Sequence, residues 1–170
     1  MINNETTKNG GAYIFCNAIG CDGSNLYMDG SNMISQNGVA LAVGNYHTLN
    51  EIEISSAVLN LHKIRLKRQG YTSGQRQSLK VQRLPLVHVN FKLCSHGLAF
   101  SKPIEVATDP APKQFVEIAS SYLWDYMRKS GSKGLFLPLS GGADSSVVAL
   151  IVYHLSTNIM KEIEQGNLEV

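Results

Sequence analysis

The sequence predicts a protein of mixed α and β structure, an α/β or α+β chain, because its two parts have different patterns. The first 61 residues contain short β-rich runs separated by turn dipeptides. Residues 112–130 and 144–165 carry apolar positions at helical spacing, and a short apolar run at 134–139 lies between them. A strand between two amphipathic helices is typical of a parallel sheet covered by helices. We therefore expect antiparallel strands followed by the beginning of an α/β domain.

Composition is that of a soluble globular protein, with 170 residues of which 44% are hydrophobic and 16% charged. Residues 1–8 lack the apolar core of an export signal, and the longest apolar run, 147–153, is far below the roughly 18 residues that a membrane span needs. Cys16, Cys21 and Cys94 match no zinc or disulfide spacing, which indicates reduced thiols. The sequence therefore predicts a cytoplasmic protein without a membrane partner.

The net charge of +2 conceals a basic segment, since no acidic residue lies between Glu53 and Glu105. Nucleic acid is not favoured as its partner, because few aromatics, Tyr71 and Phe91 among them, are interleaved and no nucleic-acid motif is present. A solvated connector, or a surface that meets acidic patches of another subunit, is favoured instead. The segment holds nine of the fifteen basic residues: Lys63, Arg65, Lys67, Arg68, Arg76, Lys80, Arg83, Lys92 and Lys102.

The first part of the chain predicts mostly antiparallel strands. Four dipeptides of the kind that hairpins favour occur within thirty residues, and Asn37-Gly38 joins two strand-like runs directly. Close turns of this kind leave room only for short strands that meander back and forth. Strands are predicted at residues 12–16, 26–28, 31–35, 39–43 and 52–61.

Residues 62–84 combine most of the basic side chains with glycines and serines, which predicts a mobile connector with little core. Residues 86–91 alternate well enough for one strand, with His88 and Asn90 on its more polar face. Neither His88 nor His96 has a carboxylate or thiolate at metal-binding spacing, so both are predicted to be structural or solvated rather than metal ligands.

A helix is predicted after the proline-rich boundary at residues 109–112. Pro112 suits the first turn of a helix, and the apolar stripe that follows ends at Ser130-Gly131. Trp124 borders this stripe, and we expect the stripe to pack against the strand that follows.

The apolar run at 134–139 predicts a buried strand, and the apolar face beginning after Asp144 predicts a helix that ends near Gly166-Asn167. The turn between them is therefore at a helix N-terminus. Gly141 and Gly142 allow a ligand to approach the backbone, while unpaired amides and the helix dipole favour an anion. A phosphate is the predicted ligand.

The turn has two alternative interpretations. A Walker-type loop is excluded, because there is no Gly-Lys-Ser/Thr and no lysine between Lys133 and Lys161. Simple capping of the helix by Ser140 and Asp144 is the structural alternative. The position of the whole hexapeptide between an apolar strand and an amphipathic helix favours phosphate binding.

Residues 140–145, Ser-Gly-Gly-x-Asp-Ser, resemble the pyrophosphate loop of the ATP pyrophosphatases, which include NAD, GMP and asparagine synthetases and tRNA-modifying ligases. The resemblance implies the first strand, loop and helix of a doubly wound adenine nucleotide alpha hydrolase-like domain. It implies that the loop holds the phosphates of ATP while a substrate oxygen attacks the α-phosphorus, with Mg²⁺ bridging the departing pyrophosphate and no metal ligand assigned. Ser140 is the implied catalytic residue, and the implied ATP-binding residues are Pro138, Leu139, Ser140, Gly141, Gly142, Ala143, Asp144 and Ser145.

Residues 8–14, 20–23, 27–30 and 37–38 resemble the closing part of a nitrilase-like glutaminase domain, an α-β-β-α sandwich, as it occurs in eukaryotic-type glutamine-dependent NAD synthetases. Residues 124–130 and 136–139 continue the resemblance into the loop. In that family the nucleophilic cysteine, the general-base glutamate and the lysine come from preceding segments, so none is assigned here. Cys21 is expected to pack in a turn near substrate rather than to act as a catalyst.

The resemblance implies three segments: 1–62 as the C-terminal part of the glutaminase, 63–111 as a basic connector and 112–170 as the N-terminal part of the synthetase domain. Residues 8–165 would match an internal stretch of a much longer enzyme. Its implied reaction is the ATP-dependent, glutamine-hydrolysing amidation of nicotinic acid adenine dinucleotide to NAD through an adenylated intermediate. The implied partners are these three small-molecule substrates and, in the complete enzyme, other copies in a homo-oligomer.

The alternative function is a truncated, catalytically inactive member that acts at most as an interaction module. It arises because a parallel sheet needs successive βα units, and only one such unit follows the boundary at residues 109–112.

Overall fold

The structure, a computed structural model, describes residues 2–91 and 97–167 and divides the chain into two units. The first unit comprises Met1–Phe15, Met33–Val43 and Ser55–Val106, and the second comprises Cys16–Asn32, Gly44–Ile54 and Ala107–Val170. Cys94 and His96 lie outside the described residues. The described elements are α1 (Ile2–Asn9), β1 (Ala12–Phe15), β2 (Ile19–Cys21), β3 (Tyr27–Asp29), β4 (Met33–Gln36), β5 (Val39–Val43), α2 (Leu61–Gln69), α3 (Thr72–Ser78), α4 (Ala111–Ser130) and α5 (Ala143–Glu164).

In the first unit, β1, β4 and β5 form an antiparallel sheet in the order β1-β4-β5. Asn37 (φ 53°) and Gly38 (φ 95°) connect β4 to β5, and positive φ angles at both positions are what a two-residue hairpin turn requires. The Asn37 side chain also accepts a 3.0 Å hydrogen bond from the Gly11 amide. The hairpin predicted from Asn37-Gly38 is confirmed.

Three helices of the first unit, α1, α2 and α3, were not predicted by the sequence. In α1, the Thr6 hydroxyl lies 3.1 Å from the Ser35 hydroxyl of β4, so the helix packs on the sheet through buried polar contacts. At the beginning of α2, the Asn60 side chain accepts a hydrogen bond from the Lys63 amide and caps the helix. Ile64 is the buried residue of this helix. The mobile connector predicted at 62–84 is therefore wrong for its first part, since α2 and α3 lie there.

In the second unit, β2 and β3 form an antiparallel hairpin, and α4 packs on it and on α5. Trp124 of α4 donates from Nε1 to the Leu49 carbonyl at 3.2 Å. The prediction that the α4 stripe packs on the following strand is wrong, because α4 packs on α5, β2 and β3 and no strand is described between α4 and α5. Gly131 (φ 68°) ends α4, and its amide and that of Ser132 bond back to Arg128 and Met127. Gly166 (φ 81°) ends α5 in the same way, as predicted.

Strand predictions succeeded only where a neighbouring strand is available. The runs at 12–16, 26–28, 31–35 and 39–43 correspond to β1, β3, β4 and β5, and β2 was missed. Residues 52–61, 86–91 and 134–139 form no strand in the described chain. The last of these was predicted to be buried, but Phe136 is 93% exposed. A strand needs a ladder of backbone hydrogen bonds with a neighbouring strand. In the described chain Val58 bonds to Ser101 through its amide and its carbonyl, but no ladder forms beside any of the three runs.

Candidate functional site

The candidate site is the turn that precedes α5. Gly141 has a φ of 80°, which a residue with a side chain rarely adopts, and Gly142 (φ −82°, ψ 169°) is the N-cap of the helix. The helix begins at Ala143, within one residue of Asp144 as the sequence predicts. The turn therefore delivers the chain into α5 with the loop backbone at the helix N-terminus.

Serine hydroxyls tie the two sides of the turn together. The Ser140 hydroxyl lies 3.1 Å from the Ser145 hydroxyl and accepts a 3.4 Å bond from the Gly142 amide. The hydroxyls of Ser145 and Ser146 donate to the Gly142 carbonyl at 3.1 and 2.8 Å. Ser140 and Ser145 are thus brought to the same side of the loop.

Capping of α5 by Ser140 and Asp144 does not account for the turn. The N-cap is Gly142, which makes no side-chain capping bond. The amides of Ala143, Asp144 and Ser145 occupy the first helical turn, where no intrahelical acceptor exists. These donors and the positive end of the helix dipole favour an anion such as phosphate.

The backbone conformation at position 142 does not require a glycine when no ligand is bound. Its φ of −82° is open to any residue, and an added Cβ would meet only the Ser140 hydroxyl, at an ordinary 3.5 Å. A glycine where a side chain would fit suits a position that a ligand approaches closely.

Pro138 and Leu139, which the resemblance places in the same site, are exposed, and Leu139 has 66% of its surface accessible. The strand that was predicted to end at Leu139 is absent from the described chain, so nothing anchors these two residues to a sheet. The hydroxyl and backbone contacts of the turn thus run from Ser140 to Ser146, and Pro138 and Leu139 before it are not covered.

Cys21 lies at the end of β2 and is fully buried, with 0% of its surface exposed. Its amide donates to the Asp125 carboxylate at 3.0 Å, and its carbonyl accepts from the Lys129 ammonium. A reactive cysteine needs access to its substrate. The geometry therefore agrees with a packing role for Cys21, while Cys16 is exposed.

The part of the chain that the structure describes shows neither a cluster of metal ligands nor a membrane-spanning helix. Residues 2–91 and 97–167 contain no group of three or more His, Cys, Asp or Glu side chains that could hold a metal ion. His88 is exposed, in agreement with a solvated histidine. Within the same ranges, none of the helices combines the length and the apolar character needed to cross a membrane.

A buried polar network in the second unit was missed by the sequence analysis. Asp125, only 6% exposed, accepts from the Cys21 amide and pairs with Arg128 at 2.6 Å, and Arg128 pairs with the exposed Glu51 at 2.8 Å. The spacing of Asp125 and Arg128, three residues apart on one helix, was the available signal. Their partner at Cys21 could not be found from spacing, because it lies about a hundred residues away in the sequence.

Among known protein families, one family model matches the region around the loop. The family model "NAD synthase" matches residues 115–162, which contain most of α4, the loop and most of α5. The match therefore covers the whole candidate site and most of the helix on either side of it.

Longer relatives match along the entire chain. Glutamine-dependent NAD(+) synthetase of Bos taurus is 37% identical over 173 residues, covering 100% of this chain and 24% of the relative. The enzyme of the same name from Drosophila melanogaster is 36% identical, covering 100% and 22%. A putative glutamine-dependent NAD(+) synthetase of Schizosaccharomyces pombe is 38% identical, covering 100% and 25%. The chain thus spans about a quarter of the length of the curated relatives it matches.

Proposed function

We propose that this chain, a homologue of the glutamine-dependent NAD(+) synthetases, carries the pyrophosphate-binding loop for the ATP-dependent amidation of nicotinic acid adenine dinucleotide to NAD. In the proposed reaction, ATP adenylates the carboxylate of the dinucleotide, and ammonia from glutamine displaces AMP. The observation that carries the proposal is the turn at Ser140–Ser145, where two glycines precede a 22-residue helix and the hydroxyl of Ser140, before the helix, faces that of Ser145 in its first turn.

The loop residues act by binding and positioning the phosphates. The first-turn amides of Ala143, Asp144 and Ser145 donate to phosphate oxygens, and the Ser140 hydroxyl adds a donor by turning from Ser145, whose own proton is held by the Gly142 carbonyl. Donors fixed before the reaction stabilise the negative charge that grows on the departing pyrophosphate. Ser140, the proposed catalytic residue, contributes through this contact and not as a nucleophile.

Magnesium fits the donor set at the edge of the loop. Asp144 is exposed in the first turn of α5, and carboxylate oxygens together with phosphate oxygens are the ligands that Mg²⁺ prefers. When bound, the ion would neutralise phosphate charge, which Asp144 alone would repel. ATP and Mg²⁺ are therefore the proposed cosubstrate and cofactor.

The wider architecture belongs to the same proposal. Residues 1–62 are assigned to the end of a nitrilase-like sandwich, 63–111 to a connector and 112–170 to the start of a doubly wound synthetase domain. The proposed partners are ATP, nicotinic acid adenine dinucleotide, glutamine and further copies of the complete enzyme, in the cytoplasm. Sequence similarity along the whole chain supports these assignments.

Replacing Gly142 with valine and Ser140 with alanine tests the loop. We expect Gly142→Val to weaken ATP binding at least about tenfold by blocking approach to the amides, and Ser140→Ala to weaken it by about tenfold through loss of a bond to a charged oxygen. Calorimetric titration with ATP·Mg²⁺ and with pyrophosphate measures both effects, and circular dichroism checks that α5 remains.

Ser146→Ala is the matched control for that titration, because the Ser146 hydroxyl bonds only the Gly142 carbonyl in the described structure. It should bind ATP as the unchanged chain does. Equal ATP affinity for Gly142→Val, Ser140→Ala and the unchanged chain would remove the basis of the proposal.

Glutamine hydrolysis should be absent from this chain, because no nucleophile, base or lysine of the glutaminase is assigned to it and Cys21 is buried. When the chain is incubated with glutamine, ammonia should be released no faster than in buffer without the protein. Ammonia release that disappears in Cys21→Ala would show instead that this cysteine is catalytic.

A second candidate function is that of an inactive interaction module, and the exposure of residues 134–139 favours it. Phe136 is 93% and Leu139 66% exposed, so an apolar segment beside the loop is open to another protein. The ATP titration separates the two functions, since an inactive module would bind neither ATP nor pyrophosphate.

A further inference from the structure

The first unit contains two Asn-Gly dipeptides, Asn9-Gly10 at the end of α1 and Asn37-Gly38 in the hairpin. An asparagine before a glycine is chemically labile, because the glycine has no side chain to keep its amide nitrogen away from the amide of the asparagine side chain. Neither dipeptide takes part in the proposed binding of ATP. The sequence alone predicts equal lability for the two, so any difference between them comes from the fold.

Asn37 is held by segments that are distant in the sequence. Its Oδ1 accepts from the Gly11 amide at 3.0 Å, and its Nδ2 donates to the Lys63 carbonyl at 3.2 Å. The Gly38 amide, which would have to attack, donates to the hydroxyl of the buried Thr6 at 2.9 Å. Several contacts must therefore break together before this dipeptide can react.

Asn9 is held only by its own helix. It is exposed, and in the described residues its side chain makes one hydrogen bond, from Nδ2 to the Glu5 carboxylate at 3.3 Å. The Gly10 amide donates to the Thr6 carbonyl at 3.1 Å and closes the last turn of α1, a polar helix of eight residues. Because the ends of helices fray, opening of this one turn frees both the side chain and the attacking amide.

Positive charge lies near both dipeptides. The Lys67 ammonium donates to the Asn37 carbonyl at 3.2 Å. The side chains of Lys67 and Arg68 also lie against Gly10, 3.3 and 3.5 Å from the place that a Cβ would take. A nearby cation favours the anionic nitrogen of an attacking glycine amide, and it does so at both dipeptides. Hydrogen bonding, and not charge, therefore distinguishes them.

We propose that Asn9 is a site of deamidation through a succinimide, and that the fold protects Asn37 from the same reaction. The Gly10 amide gives up its proton to water, and its nitrogen forms a bond to Cγ of Asn9. The Cγ–Nδ2 bond breaks, and Nδ2 leaves as ammonia after taking up one proton from water. A second water molecule opens the ring at either of its carbonyls, which gives aspartate or isoaspartate at position 9. Water is the co-reactant, and nothing is oxidised or reduced.

An isoaspartate product changes the end of α1, because the main chain then runs through the side-chain carbon and gains one atom before Gly10. The φ of 62° at Gly10 and its bond to Thr6 then no longer close the helix. Tyr71, which follows α2, donates to the Thr7 carbonyl at 3.1 Å on this last turn. Deamidation should therefore loosen the contact of α1 with the segment between α2 and α3.

The test is peptide mapping by mass spectrometry after incubation of the 170-residue chain at mildly alkaline pH, with an unincubated sample as the background. Chymotrypsin, which cleaves after tyrosine, separates the two asparagines, because Tyr13 and Tyr27 lie between them. We expect Asn9 to convert at least about tenfold faster than Asn37, since fraying of a helix end costs far less than opening of packed contacts. Isoaspartate should accompany aspartate in the product. No conversion of Asn9, equal rates at the two positions, or aspartate alone would overturn the proposal.

The same incubation in concentrated urea is the matched control. Unfolding removes the contacts, so Asn9 and Asn37 should then convert at rates within about twofold of each other. A tenfold difference that persists in urea would assign the effect to local sequence and overturn the protection by the fold. Ammonia from this reaction amounts to one molecule for each Asn9 and needs no glutamine, which separates it from glutamine hydrolysis.

A variant tests the protection of Asn37. Thr6→Val removes the hydroxyl that accepts the Gly38 amide and should speed conversion of Asn37 at least about threefold. Thr72→Val makes the same exchange at an exposed residue of α3 and should leave the rate at Asn37 unchanged. An unchanged rate in Thr6→Val, with the fold intact by circular dichroism, would overturn the assignment of the protection to these contacts.

Discussion

Replacing Asp125 with alanine should lower the free energy of unfolding of the second unit by about 3 kcal/mol. The substitution removes a buried carboxylate and so leaves two hydrogen-bond donors without that acceptor. The Cys21 amide loses its 3.0 Å partner and Arg128 loses its 2.6 Å partner. The expected loss is at the lower end of the range for buried pairs, because Arg128 retains the exposed Glu51 at 2.8 Å.

Trp124 provides the measurement, because it is the only tryptophan of the chain and lies on α4 next to Asp125. Urea unfolding followed by its fluorescence reports on the unit that contains the network. Asp125→Asn keeps an acceptor for the Cys21 amide, but a neutral acceptor forms a weaker hydrogen bond than a carboxylate. This variant should therefore lower the free energy of unfolding by about half as much as Asp125→Ala does. Glu164→Ala, at an exposed carboxylate, is the control, and a loss for Asp125→Ala no larger than for this control would contradict the prediction.

Local sequence signals predicted those elements that local interactions determine. The hairpin at Asn37-Gly38 follows from two residues that accept positive φ, and the end of α4 follows from Gly131. The stripes of α4 and α5 follow from helical periodicity, which each helix carries within itself. In the candidate site, the beginning of α5 at Ala143 was predictable for the same reason.

Contacts between distant segments explain what the sequence did not predict. α1 is polar, and it packs through contacts with residues distant in the sequence, such as those of Thr6 and Asn3 with Ser35. Ile64 gives α2 its single buried position, which is too weak a pattern to distinguish a helix from a basic connector. The stripe of α4 was expected on the strand after it, but α4 packs on α5 and on the distant β2 and β3. The Trp124 ring nitrogen likewise binds the Leu49 carbonyl, in a segment about seventy residues earlier.

The apolar run at 134–139 shows the limit of the strand prediction. An apolar run predicts burial only if another element is available to cover it, and a strand forms only beside another strand. In the described chain Phe136 and Leu139 remain exposed, and the loop that follows is nevertheless ordered by its own serine contacts. The geometry of Ser140 to Ser145 therefore depends on the helix after it and not on a strand before it.

Replacing Gly20 with alanine should also destabilise the second unit by about 3 kcal/mol, from backbone strain and a clash together. Gly20 has a φ of 95°, and a Cβ added there would lie 2.5 Å from Oδ2 of Asp125, the oxygen that accepts the Cys21 amide. Asp125 is 6% exposed and paired with Arg128, so its carboxylate has little room to move aside. The substitution should therefore break the same hydrogen bond that Asp125→Ala removes.

Gly23→Ala separates the two contributions to that loss. Gly23 has a similar φ of 84°, but an added Cβ meets nothing within 4 Å, so this variant carries the strain without the clash and should lose only about 1 kcal/mol. Urea unfolding followed by Trp124 fluorescence measures both variants, and the difference between them gives the contribution of Asp125. In an Asp125→Ala background the clash is absent, so Gly20→Ala should there cost no more than Gly23→Ala does in the unchanged chain. A full loss of about 3 kcal/mol in that background would show that the backbone of β2, and not the buried carboxylate, requires glycine at this position.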